Sequence, residues 1–451
     1  MAELVYAPDG RLLFTEEMRR EYTILIPMML PVHFTLIERI LRQHGYRAEL
    51  LKTDGPQIVA EGLQSVHNDT CYPALLVIGQ MLDALKSGRY DTARTALMIT
   101  QTGGGCRASN YIHLLRKALK NNGLEHIPVV SLNLSGMEKN PGFSMTFPLL
   151  YELACAVFYG DVLMDVRNQT LPYEVNPGET DRLLEAWTEK LTNHGAKLIH
   201  FKRLVREICR DFTAIPVHRA PKIRVGVVGE IYVKYAPLGN NNLEAFLREQ
   251  DVEVIVPGLM GFIQFMCDHN IVDTATYGIK KAKGRISALF LRLLCYLEKQ
   301  VIRIMKEFPS LRPPEPFAFK KSLIEGYVSD RNKMGEGWLL TAEMLELIHS
   351  GVQGIVCAQP FGCLPNHVVG KGMIRAIRQR HPDCNIVAVD YDPGATRINQ
   401  ENRIKLMLAA ARGETAGEDW PLRFAQEAAS PAVSGEAAHE TKKEERAQRA
   451  G

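Results

Sequence analysis

The chain has 451 residues, 46% of them hydrophobic, and a net charge of +3 spread over interspersed acids and bases. That length exceeds one typical hydrophobic core, and the balance offers no sustained basic surface for nucleic acid. No uninterrupted apolar run approaches a membrane span, the first residues lack the pattern of a signal peptide, and nine cysteines in a reducing compartment stay thiols unless they hold metal. A cytoplasmic protein with no membrane or nucleic-acid partner is expected.

After an N-terminal extension (1–20), YTILIPMML, HFTLIERILRQHG and YRAELLK read as strand, helix, strand. A helix is expected after Cys71, with Pro73 in its first turn and Leu75, Leu76, Ile78, Leu82 and Leu85 on its stripe. The strand TALMIT, a helix after Cys106 capped by Ser109 or Asn110, and the strand IPVVSLN complete an α/β domain over 21–146. Residues 147–221 read as a helical subdomain ending in a linker between Pro216 and Pro221.

A second α/β domain, 222–412, starts at KIRVGVVGEIYV and DVEVIVPG, takes a helical insertion, and resumes at GIVCA. A helix from Asn366 through Arg380, the strand NIVAVDYD and a last helix close it. Residues 413–451, rich in Ala, Glu, Gly and Lys, read as a disordered tail. The expected fold class is α/β, two Rossmann-like parallel-sheet domains with helical insertions, with ligand groups at the strand C-termini.

Cys71, Cys106 and Cys363 each occupy a short loop ahead of a helix, where free N–H groups and the dipole favour the thiolate that binds metal. The alternative for every cysteine is burial as a small hydrophobe, and no CxxC pair marks a zinc or ferredoxin site. Cys357 competes with Cys363 but falls inside the strand GIVCA. Gly103, Gly104 and Gly105 allow close backbone approach to an anion or cluster sulfide, or form a tight turn. Glu230 and Glu336, at a strand end and a helix start, and His67 and His367, near two of the cysteines, are acid/base candidates; capping and solvated roles are the alternatives.

The strings IPMMLPVHF, HNDTCYPALLVIGQ, TQTGGGCRASNYIHLLRKAL, SLNLSGMEKNPGF, GVVGEIYVK, QPFGCLPNHVVGKG and NIVAVDYDPG together resemble the 2-hydroxyacyl-CoA dehydratase superfamily, in its activase-associated branch. The likeness runs from Tyr22 to about Leu408. It implies an iron-sulfur cluster between the two α/β domains, held by Cys71, Cys106 and Cys363. It also implies a separate ATP-hydrolysing activator, itself an iron-sulfur protein, that delivers one electron; a thioester substrate becomes a ketyl radical and loses its hydroxyl. Three thiolates would leave one iron of a 4Fe-4S cubane open to a substrate oxygen.

Relatives with larger double-cubane clusters reduce small molecules, and a homodimer would bring two sites together. No residue pattern specifies coenzyme A, so the small-molecule substrate, acyl-CoA or other, stays open. A non-catalytic subunit that holds a cluster, and a metal-free nucleotide-binding α/β protein, are the competing readings.

Overall fold

The computed structural model describes residues 2–67, 69–100, 105–132, 138–193 and 197–413. The first half runs α1 (Glu16–Glu21), β1 (Thr23–Pro27), α2 (Pro31–Gln43), β2 (Arg47–Leu51), α3 (Pro56–Ser65), α4 (Tyr72–Lys86), β3 (Thr95–Thr100), α5 (Tyr111–Asn121) and β4 (Val129–Leu132). Then come the helices α6 (Phe147–Thr170), α7 (Glu179–Asn193) and α8 (Phe201–Thr213). The second half begins with β5 (Arg224–Gly229), α9 (Ile231–Tyr235), α10 (Pro237–Asn240), α11 (Leu243–Glu249) and β6 (Glu253–Ile255). It continues with α12 (Met260–Tyr277), α13 (Lys281–Met305), α14 (Phe317–Leu323), α15 (Leu339–His349), β7 (Gly354–Pro360), α16 (Ile374–Arg380), β8 (Ile386–Tyr391) and α17 (Arg397–Ala411).

Two four-stranded sheets, every pairing parallel, have the orders β2-β1-β3-β4 and β6-β5-β7-β8. The fold is therefore α/β with two Rossmann-like parallel sheets. Helices cover both faces, so central strands are buried, GIVCA throughout and TALMIT up to Ile99, and read as apolar runs rather than alternating ones. Each order reverses between the first and third strand of its sheet, β1/β3 and β5/β7, and at such reversals open α/β sheets leave a crevice at the strand C-termini.

Residues Met1–Met407 form one compact unit and Leu408–Gly451 a second, of which only residues 408–413 are described. The rest of the expected tail lies outside the described residues. Among the described residues one helix is long and apolar enough to cross a membrane: residues Phe147–Tyr173 meet that length and hydropathy, although Glu152 and Asp161 interrupt the apolar run, and half of the window is buried inside the fold. Packing against α2, α8 and β6 makes it a core helix here.

The α3–α4 hairpin sets the position of Cys71. It closes tightly because Gly79 faces the Ile58 carbonyl, leaving no room for a Cβ. Gly79→Ala is expected to lower stability by about 1–3 kcal/mol, read as a fall in melting temperature. An unchanged melt would mean that the α3 backbone yields freely.

Candidate functional site: three thiols and two carboxyls

Cys71 is the residue before α4, but its side chain makes no capping hydrogen bond; its Sγ instead shares one of 2.8 Å with the Tyr111 hydroxyl, from the start of α5. Cys106 precedes a single 3-10 turn, Arg107–Asn110, that leads into α5. Neither Ser109 nor Asn110 caps that helix in the expected way: Ser109 Oγ donates to the Cys106 carbonyl at 2.8 Å, and Asn110 makes no side-chain cap bond. The Cys71 loop is joined to the second half by the Tyr72 N–H, which donates to the Phe361 carbonyl at 2.9 Å. Gly362 then lies against the Cys71 backbone, so Cys363 sits beside Cys71 at the β5/β7 reversal.

The segment after Cys363 corrects the expected helix from Asn366. Residues Asn366–Gly370 form a wide π-helical turn, followed by a tight turn at Lys371–Met373, and regular helix begins only at Ile374. The cause is the Asn366 side chain, buried and turned back to donate to the Ala358 carbonyl of β7 at 2.8 Å. A side chain that bonds elsewhere competes with the regular helical ladder.

Glu230 follows β5, and its Oε2 accepts the Val233 N–H at 2.9 Å, capping α9. Glu336 reaches the same place from the loop before α15, where its Oε1 accepts the Ile231 N–H at 2.9 Å. Beneath them, Lys234 of α9 and Glu343 of α15 form a buried ion pair at 3.0 Å. Glu230 keeps some accessible surface yet lies deep among protein atoms. Burial, and then the neighbouring Glu336 charge, push its carboxyl up, while burial also raises Glu336. Burial thus favours the protonated form of both carboxyls, and at Glu230 the neighbouring charge adds to it.

The thiols belong to the same electrostatic group. Cys71 feels Glu230 and Cys106; Cys106 feels Glu336 and Glu230; Cys363 feels Glu230, Glu336 and Cys71. All three thiol pKa values are raised, with burial the largest cause, which corrects the expectation of activated thiolates. The N–H groups of Ala74, Ala108 and Asn366 do act in the expected direction at the three helix starts, but burial outweighs them. Such thiols ionise readily only when a cation shares the site.

The other candidates are placed differently. The His67 side chain is 73% exposed and pairs with nearby Asp69, and the His367 side chain is exposed as well. Cys357 is fully buried within β7, its Sγ 3.7 Å from Asn366 Oδ1. Gly103 and Gly104 lie outside the described residues, while Gly105 backs onto Met334. Met334, Phe361, Leu364 and Val368 leave exposed apolar surface on the loops that carry Glu336 and Cys363. Tyr111 and Lys234 carry no signal in the sequence; each reads there as an ordinary helix residue.

Among the described residues no three His, Cys, Asp or Glu side chains converge as a single metal ion requires. A cubane makes a different demand, because each thiolate binds its own iron and the sulfurs stand apart around the cluster. Three thiols on three separate loops, with no fourth beside them among the described residues, fit that donor set. In comparison with known proteins, no family model matches the sequence and neither does any curated protein.

Proposed function

We propose that this chain is the iron-sulfur acceptor component of an ATP-driven reductase or 2-hydroxyacyl-CoA dehydratase-like system, working in the cytoplasm with a separate activator ATPase. The observation that carries the reading is the gathering of Cys71, Cys106 and Cys363, from loops of both halves of the chain, with Glu230 and Glu336. The resemblance across Tyr22 to Leu408 supplies the cluster type and the partner.

A bound 4Fe-4S cluster would supply low-potential electrons and one open coordination position. The chain's own contribution is to hold three iron atoms through three thiolates, exclude water by burying them, and keep a proton on the Glu230–Glu336 pair. Such a proton would be available to a leaving hydroxyl, as a general acid requires.

Anaerobic purification, with iron, acid-labile sulfide and visible absorption measured together, tests the reading. The wild type should be brown, and a Cys71→Ser, Cys106→Ser, Cys363→Ser variant colourless but folded by circular dichroism. A wild type without iron, even after reconstitution with iron and sulfide, would overturn the proposal. Iron uptake without thioester turnover would favour a subunit that only holds the cluster.

A further inference from the structure

The outer side of α13 carries an apolar seam that no described residue covers. Ala282, Ile286, Leu289, Leu293 and Tyr296 follow one another at alternating steps of four and three residues, the spacing that keeps one line of side chains along a helix. All five are exposed, Ile286 and Leu289 at 70% and 71%. A different side attaches the helix to the fold: Ser287, Leu294, Leu297 and Val301 are buried where α13 packs on α12 and α8. Beyond Leu293 the seam runs into a groove of about 410 Å³ that Tyr296 and Leu297 share with Ile199 and Phe201, at the start of α8. None of the three thiols, nor Glu230 or Glu336, lies on this surface, so its partner is independent of the iron-sulfur reading.

A row of cations borders the seam. Arg285, Arg292 and Lys299 recur every seventh residue along one margin, all exposed, and none makes an ion pair among the described residues. The sequence holds no acid between Asp273 and Glu298. Glu298, the one acid of α13, turns inward and accepts the Phe317 N–H at 3.1 Å.

That charge pattern decides what can cover the seam. A second α13 running antiparallel would set the cation row against itself, and one running parallel would set it against Phe290 and Leu297, so self-pairing gives the cations no acid. A lipid surface calls for a broad apolar sector, whereas a strict line at heptad spacing is the stripe that one facing helix fills. We propose that α13 docks an amphipathic helix of a partner protein, apolar at heptad spacing and acidic along the edge that meets Arg285, Arg292 and Lys299.

Fluorescence anisotropy on the full chain tests this with two labelled three-heptad peptides, both with Leu at the seam positions, one edged with Glu and the other with Lys. The Glu-edged peptide should bind saturably, and more weakly as salt is raised, while the Lys-edged one should not bind. Leu289→Ser should weaken binding about tenfold without lowering the melting temperature, because the side chain is already exposed. Arg285→Glu with Arg292→Glu should reverse the preference, so that the Lys-edged peptide binds instead. No saturable binding of the Glu-edged peptide, indifference to the edge charge, or unchanged affinity in Leu289→Ser would each overturn the proposal. So would a wild-type dimer that Leu289→Ser dissociates, or binding to phosphatidylserine vesicles that Leu289→Ser abolishes; these would assign the seam to a second copy or to a membrane.

Discussion

Glu343→Ala is expected to cost about 3–5 kcal/mol of stability, because it strands the Lys234 ammonium in the interior. Lys234 and Glu343 are 4% and 2% exposed, and both carboxylate oxygens lie within hydrogen-bonding distance of Nζ, at 3.0 and 3.2 Å. Without the carboxylate, the lysine must either give up its proton or pull water into the core. The pair also ties α9, which follows Glu230, to α15, which follows Glu336, so its loss should loosen the carboxyl pair. Denaturant unfolding gives the magnitude. Replacing both partners, Lys234→Met with Glu343→Leu, should restore most of the stability, because an apolar pair leaves no charge uncompensated. A single-variant loss below about 1 kcal/mol would show that water already reaches Nζ.

Gly229→Ala is expected to be comparably damaging for a different reason. Gly229 ends β5 at φ +137°, a backbone region that only glycine occupies without strain, and an added Cβ would run into the Ala358 carbonyl of the paired strand β7. Strained backbone costs about 1–3 kcal/mol and overpacking about as much again. The clash falls at the reversal between β5 and β7, one residue before Glu230 and on the strand that leads to Cys363. If the chain holds the proposed cluster, the variant should therefore lose iron binding as well as stability. Wild-type unfolding behaviour would show that the strands separate there at little cost.

The two sheets were legible in the sequence because strands buried on both faces must be apolar along their whole length. TALMIT, RVGVVG and GIVCA leave little else for those residues to do. The Cys71 helix was legible for a related reason: Pro73 suits only a first turn, and Gly88 stands just beyond the end of α4 at Lys86, in the left-handed conformation.

What could not be read was anything decided by residues distant in the chain. The Asn366 side chain unravels the helix after Cys363 by reaching back to Ala358, and nothing local announces that bond. Helix-end donors near the thiols were visible, but the burial that overrides them depends on how the halves close. Glu230 and Glu336 were found as strand-end and helix-start carboxyls; that they meet depends on α15 returning to β5.

The hydrogen bond from Tyr72 to Phe361 means that positions 71, 106 and 363 meet only after most of the chain has been threaded between them. A group that gripped all three thiols would close a loop from residue 71 to residue 363, about two thirds of the sequence. Such a group would act as a clasp on the unfolded chain, which would have to give up the entropy of a very long loop to keep its grip.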